Sequence, residues 1–380
     1  MPVYGPIELL ADVHEKELCI GCGGCVNLCP YFKNHRGKTA MLFPCTLTEG
    51  RCNAYCPMVE VNLDDMSLAV WNKPYEGSPL GTYQEILAAR SGKQMTGGAY
   101  QAGGTVSALI TFALTEGRID AAVLTDRKAL VPDPKLVTRP EDVAKCAGSK
   151  FMASPTLAAL NQGINEGYEK IGVVTTPCQG MSVTQMRSNP LKREDFSDPI
   201  GLMVGLFCTW AIDTRKLIPL LSECVDSACI MGMDMPPPPS EIMVIDTGEK
   251  KVEIPLDRIR PLIPRSCSIC PDMTSEWADV SVGVLEGKSD WNTLIIRTDR
   301  GADLVNAACK AGFLLTEKMP TKNLQHLCVA AAGKKKRALE KAKGEGLLNT
   351  REKDNRAALR IPAKVVTKIL AQDVEAECRI

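Results

Sequence analysis

Beyond residue 80 the apolar positions follow two alternating periods. Residues 106–116 (VSALITFALTE) carry apolar side chains at helical spacing and stop at Gly117, a residue type that ends helices. Residues 119–125 (IDAAVLT) form a short unbroken apolar run, which predicts a buried strand. Residues 83–91 predict a strand or a short helix, and residues 155–167 a further helix. Residues 170–178 (KIGVVTTPC) and 200–208 (IGLMVGLFC) are apolar runs that each end on a cysteine. Both predict buried strands with a thiol at or just past the C-terminal end, where open α/β sheets build their sites. A strand, a glycine-rich turn at 96–105 (TGGAYQAGGT), a helix and a strand in succession predict an α/β unit. Residues 231–240 (MGMDMPPPPS) predict a loop. The basic stretch at 334–343 (KKKRALEKAK) predicts a helix with a solvated face, with contact to an anion or a partner as the alternative. No internal repeat stands out.

The first 75 residues show little regular hydrophobic pattern. They hold seven of the 17 cysteines, between Cys19 and Cys56, while the other ten are scattered from Cys146 to Cys378. Such density predicts a small metal-nucleated domain, because below about 80 residues apolar burial alone supplies little stability. At roughly 100–200 residues per domain, two or three domains are expected over the whole chain.

Composition narrows the function. The 45 basic and 45 acidic residues cancel, which speaks against a globally basic nucleic-acid-coating protein. With 45% apolar and 24% charged residues the chain has a globular rather than a disordered composition. Only 3 His are present, so Cys2His2 zinc sites and histidine-based catalysis have few candidates. An odd number of cysteines fits a fully paired disulfide framework poorly. The N-terminus lacks a continuous apolar leader, and the longest apolar stretch, residues 200–212, falls short of the roughly 20 needed to span a bilayer. The expectation is a soluble cytoplasmic protein whose thiols stay reduced and free to bind metal.

The strongest motif is CIGCGGCVNLCP: Cys19, Cys22, Cys25 and Cys29, followed by Pro30. This is the bacterial ferredoxin spacing for a 4Fe–4S cluster, in which the last cysteine of each run serves the other cluster. Two-residue gaps let one tight loop offer three thiolates to three irons, and Gly21, Gly23 and Gly24 relieve crowding where the backbone comes close. Cys56-Pro57 mirrors Cys29-Pro30. One cluster is therefore assigned to Cys19, Cys22, Cys25 and Cys56. A possible second uses Cys29, Cys45 and Cys52. It lacks an obvious fourth cysteine, because Glu49 stands where one is expected and Cys45 is displaced by one position. That cluster is absent, three-iron, or completed by another ligand. The competing reading of the region is structural zinc, since CxxC pairs also suit that ion.

Two further signals lie downstream. The CxxC of Cys267 and Cys270, with the strand-end Cys178 and Cys208, makes a four-thiol set for a further cluster; alternatively the strand-end pair are small core residues. The glycine doublets Gly97-Gly98 and Gly103-Gly104 lead into Thr105 and a helix, where backbone amides suit a pyrophosphate. Ser149 and Lys150 in CAGSK, residues 146–150, add donors for a phosphate or a flavin ring. A plain turn before a helix is the alternative.

Taken in order, several segments resemble the coenzyme F420 hydrogenase/dehydrogenase beta-subunit family. They are residues 102–125 (AGGTVSALITFALTEGRIDAAVLT), 147–151 (AGSKF), 173–180 (VVTTPCQG), 201–208 (GLMVGLFC), 267–283 (CSICPDMTSEWADVSVG) and 333–339 (GKKKRAL). The resemblance spans roughly residues 80–340. It implies a flavin-binding core, and with the cysteine runs and the basic stretch the expected fold is an α/β (mixed α+β) flavin-binding core with a small N-terminal ferredoxin-like 4Fe–4S domain and a helical C-terminal tail. The expected divisions are 1–75 for the ferredoxin-like domain, 76–155 for the flavin-binding region, 156–330 for the core with its own cluster, and 331–380 for the basic helical tail. It implies FAD held by Gly103, Gly104, Thr105, Gly148, Ser149 and Lys150, and a core 4Fe–4S cluster on Cys178, Cys208, Cys267 and Cys270. Cys146 departs from the small residue expected there.

Two to three clusters beside FAD would form a two-to-one electron converter, because a flavin takes a hydride and a cluster carries single electrons. The expected substrate is coenzyme F420 or a similar small-molecule hydride carrier, with a tetrapyrrole or protein-bound acceptor as a variant. The expected partners are subunits of a hydrogenase, formate dehydrogenase or heterodisulfide reductase type, with no nucleic acid and no membrane span. The rivals are an electron relay without F420 turnover and a zinc-stapled interaction module.

Overall fold

The computed structural model describes residues 2–95, 100–128, 130–236, 240–351 and 356–371. Gly97, Gly98 and Cys378 lie outside the described residues. The centre of the fold is a mixed eight-stranded sheet. Its strands in chain order are β1 (Glu85–Ser91), β2 (Ala121–Lys128), β3 (Val131–Val137), β4 (Ile171–Thr175), β5 (Ile200–Leu206), β6 (Val280–Val284), β7 (Asn292–Ile296) and β8 (Leu314–Lys318). Across the sheet they run β8-β1-β7-β6-β5-β4-β2-β3. The middle four, β6, β5, β4 and β2, are parallel, and antiparallel strands flank them on both sides.

Period-2 alternation distributes side chains to the two faces. On β5, Met203 joins one apolar cluster while Leu202 and Val204 join another; on β2, Val123 and Leu124 separate in the same way. Helices α1 (Thr105–Thr115) and α4 (Asp299–Lys310) cover one face through Leu109, Phe112, Leu304 and Val305. Helices α2 (Thr156–Asn165) and α3 (Pro177–Arg187) cover the other through Leu157, Leu160, Met181 and Val183. Buried on both faces, the parallel strands had to be continuously apolar, which is why residues 119–125, 170–178 and 200–208 were legible.

Residues 2–75 pack on the α2–α3 face. Leu9, Leu18, Phe32 and Tyr55 belong to the same apolar cluster as Leu157 and Met181. The C-terminal part is less helical than the sequence implied. Helix α5 (Thr321–Gly344) begins earlier than residue 331, and Leu348–Asn349 and Leu359–Arg360 are short strands. With Val61–Asn62 they make a parallel three-stranded sheet, so the tail is tied to the cysteine-rich segment. Glu60 fixes the junction, accepting from the Arg360 Nε at 2.6 Å and the Ala357 N–H at 3.1 Å.

Two expectations are corrected. Residues 231–240 are not all loop: Gly232–Asp234 is a strand, and its Met233 pairs with Ile245 of Ile242–Asp246 in a small antiparallel sheet. The basic helix does not turn all its lysines to solvent. Lys334 is 6% exposed and Lys335 1%. Among the described residues no helix is long and apolar enough to cross a membrane.

Candidate functional site

The glycines of the first cysteine run are required by close approach to protein backbone. Gly21 has φ +70°, and a Cβ there would come within 1.8 Å of the Gly37 carbonyl oxygen. Gly23 has φ +84°, and its Cβ would lie 2.5 Å from the Pro155 carbonyl oxygen. The loop is seated on the start of α2. The Leu157 N–H donates to the Cys22 carbonyl at 3.0 Å, and Asn161 Nδ2 donates to the Gly24 and Val26 carbonyls at 3.1 and 2.7 Å. Helix α3 holds the second run: Ser182 Oγ donates to the Tyr55 carbonyl at 2.6 Å, and Gln185 Nε2 to the Cys56 carbonyl at 3.1 Å.

Cys178 is the second residue of α3, just past β4. A Thr176–Gln179 capping box with Pro177 in the first turn starts that helix and fixes the thiol's direction. Cys208 follows β5, and its N–H donates to the Met273 carbonyl at 2.9 Å. Cys267 lies in the short helix Arg265–Ser268, with Cys270 just after it.

These segments bring the four thiols together. Every pair among Cys178, Cys208, Cys267 and Cys270 is close enough for one thiolate's charge to act on another. Burial is the main cause that pushes Cys178 up to about 12, Cys208 to about 11 and Cys267 higher still. Cys22, Cys25 and Cys56 interact in the same way, with Cys19 near Cys25 and Cys56. Burial again dominates, raising Cys22 and Cys25 strongly and Cys56 to about 12. Cys52 is raised to about 11 by burial, with Cys29 and Cys45 adding to it. Cys25 and Cys56 are also near Cys52, and Cys22 is near Cys178. Three thiol groups therefore stand in a row: Cys29, Cys45 and Cys52 outermost, the group containing Cys22 and Cys56 between, and the strand-end group innermost. A small apolar cavity beside the innermost group is lined by Cys178, Cys270, Pro57 and Met58.

All eleven cysteines of the three groups are free of disulfides. Among the described residues no three His, Cys, Asp or Glu side chains are close enough to share one metal ion. A cubane makes a different demand, since each thiolate meets its own iron. Thiols with raised pKa values would give up their protons to a cationic iron–sulfur core, and hydrogen-bonding groups already meet three of the sulfurs. Thr176 Oγ1 lies 3.4 Å from Cys178 Sγ, the Ala211 N–H donates to Cys267 Sγ at 3.5 Å and the Gly24 N–H to Cys22 Sγ at 3.5 Å. The donor set fits iron–sulfur groups.

The second candidate site is the start of α1. Gly104 caps it at φ +73°, and a Cβ on Gly103 would lie 2.8 Å from Asn292 Oδ1. Thr105 Oγ1 is buried without a hydrogen-bond partner, while its N–H donates to Asn292 Oδ1 at 3.3 Å. Gln101 joins this turn to the 148–150 loop: its Oε1 accepts from the Ser149 N–H at 2.8 Å, and its Nε2 donates to Asp234 at 2.6 Å. A Cβ on Gly148 would meet nothing within 4 Å. Lys150 Nζ donates to the carbonyls of Cys146, Ala147 and Gly148 at 2.8–3.0 Å, so it shapes the loop. Glycine approach, an unpartnered buried hydroxyl and a helix N-terminus fit a phosphate-bearing cofactor.

Sequence reasoning missed Gln101, Asn292 and Lys334. The first two carry no local signal. Lys334 was visible on a helical wheel, because it shares a face with Ala331, Ala338 and Ala342, all buried.

Residues 86–161 and 168–322 match, respectively, the family models for the N-terminal and C-terminal parts of the coenzyme F420 hydrogenase/dehydrogenase beta subunit. The chain is 30% identical over 250 residues to the coenzyme F420 hydrogenase subunit beta of Methanothermobacter thermautotrophicus, covering 63% of this chain and 85% of that one. It is 29% identical over 311 residues to a subunit of the F(420)H(2) dehydrogenase of Methanosarcina mazei, covering 77% and 82%. A chain of the F420-reducing NiFe hydrogenase complex from Methanosarcina barkeri superposes with a TM-score of 0.65 at 25% identity, over 71% of this chain and 95% of that chain. The chain belongs to the coenzyme F420 hydrogenase/dehydrogenase beta-subunit family.

Proposed function

We propose that the chain is an FAD- and iron–sulfur-dependent oxidoreductase subunit. It passes electrons between coenzyme F420 and one-electron acceptors within a larger complex. The observation that carries this reading is the row of three half-buried thiol groups, joined where Cys22 approaches Cys178. A row of this kind has no use in a mononuclear metal staple.

In this reading FAD accepts or gives a hydride, and the clusters carry its electrons singly. Gly103, Gly104 and Thr105 hold the cofactor's phosphates at the α1 N-terminus, and Gly148 and Ser149 close the other side. Gln101 keeps the two loops in register. Cys178, Cys208, Cys267 and Cys270 hold the core cluster; Cys19, Cys22, Cys25 and Cys56 hold the next. Cys29, Cys45 and Cys52 hold the outermost group, and exposed Glu49 lies between Cys45 and Cys52 in the chain. Burial of the inner thiols excludes water and oxygen from the path. The partners are subunits that meet the outermost group.

Anaerobic reconstitution tests the proposal. Iron, labile sulfide and flavin are counted per chain, and reduced F420 is then added. The expected result is about eight to twelve irons, from two to three 4Fe–4S groups, one FAD, and bleaching of the cluster absorbance. Flavin without bleaching would leave only an electron relay. A colourless, zinc-rich preparation lacking sulfide would overturn the redox role.

A further inference from the structure

Two adjacent lysines of α5 are buried in one wall, and their partners differ. Lys335 Nζ donates to Glu276 Oε1 at 2.5 Å, to Tyr75 Oη at 2.9 Å and to the Ser78 carbonyl at 2.9 Å. It has a carboxylate. Lys334 Nζ donates to the carbonyls of Cys208 and Asp272, both at 2.7 Å, and lies 3.9 Å from Cys270 Sγ. Among the described residues no carboxylate oxygen is hydrogen-bonded to it. The nearby Asp272 side chain accepts instead from the Thr274 and Glu276 N–H groups, at 2.9 Å each.

We infer that Lys334 is a positioning residue whose fixed positive charge serves the core thiol group and raises its reduction potential. The inference rests on the reading that Cys178, Cys208, Cys267 and Cys270 hold a 4Fe–4S group. The hydrogen bonds of Lys334 go only to carbonyls and a sulfur, and the Asp272 carboxylate, which acts on it from nearby, is itself committed to two N–H groups. A buried ammonium so placed gains from further negative charge, because buried charges need opposite charge. Four thiolates around a cubane supply it: the assembly is anionic, and it gains one further negative charge on reduction. A cation beside Cys270 therefore favours the reduced state, since net charge and donors to sulfur are among the levers that set cluster potentials. The same two carbonyl bonds tie the Cys208 segment and the Cys270 segment to α5, so the charge is held by the pieces that present the thiols.

The test uses the full chain, reconstituted anaerobically as wild type, Cys267→Ala, Lys334→Gln and Lys334→Arg. Iron and sulfide are counted, and the electron paramagnetic resonance signal lost in Cys267→Ala is titrated for its midpoint potential. Lys334→Gln should keep the core iron and shift that signal to lower potential by at least tenfold in the one-electron equilibrium, 59 mV. Lys334→Arg, which keeps the cation, should recover most of the shift. Full iron with an unchanged potential in Lys334→Gln would overturn the inference. If Lys334→Gln loses the core iron, Lys334→Arg decides. Retention with a near-native potential supports the charge. Loss of core iron there too, in a chain with native circular dichroism, makes the role steric and overturns it. A wild type without iron and sulfide overturns the cluster reading itself, which separates the two failures.

Discussion

The core thiol group and the outermost one are assembled in different ways. Cys178, Cys208, Cys267 and Cys270 come from three separate segments, brought together by the parallel strands β4 and β5 and the short helix Arg265–Ser268. They are half-buried, and a cation on α5 stands beside them. Cys29, Cys45 and Cys52 lie within one stretch of chain, next to exposed Leu42, Phe43 and Leu47. The core group is thus a product of the tertiary fold, and the outer group a product of local spacing. The difference implies that damage to one should leave the other readable.

The largest effect is expected from Cys267→Ala. It should remove about four irons per chain, one whole 4Fe–4S group, while the signals of the two N-terminal groups persist. Iron content equal to wild type would break the comparison at its centre. Next comes Lys335→Met, which leaves Glu276 buried without its cation. Burial already pushes that carboxyl up to about 7 against the pull of Lys335, so the substitution should destabilise the core by about 3–5 kcal/mol. A urea midpoint reads this, and Glu276→Leu in the same chain should restore much of it.

Asn161→Ala addresses the seat of the N-terminal loop. Its amide holds the Gly24 and Val26 carbonyls, and leaving them unpaired should cost about 1–3 kcal/mol. Faster amide exchange over residues 21–29, with β4 and β5 protected as before, is the expected signature. Cys45→Ala should have the smallest effect. Iron should fall only in the outermost group, and stability should stay within about 0.5 kcal/mol of wild type. Loss of the core signal in that variant would show that the groups assemble as one unit.

The sequence revealed the fold in proportion to how local each instruction was. Strands β2, β4 and β5 were legible because both their faces are buried, and α1 was legible from its spacing and Gly117. The strand Gly232–Asp234 was not, because three residues, Gly-Met-Asp, acquire that state only by pairing with Ile242–Asp246. The two-residue strands at Leu348–Asn349 and Leu359–Arg360 are too short to show any period. At the site, CxxC spacing announced the N-terminal thiols directly. The four core thiols emerged from spacing only as a possibility; the fold is what places them together. Lys334 and Lys335 were read by their charge, whereas the helix face they occupy decided their burial.

The tie between Arg360 and Glu60, 300 residues apart, bears on how the protein is made. Synthesis proceeds from the N-terminus at about 5–20 residues per second, so the cysteine-rich segment leaves the ribosome roughly 15–60 seconds before the strand that completes its seat. Over that interval its thiols are accessible to oxidants and stray metals, and α2 and α3, on which the loop rests, arrive midway. Closure of the seat around the N-terminal thiols is thus a late event, timed by the emergence of Leu359–Arg360, and until then those thiols depend on a reducing environment.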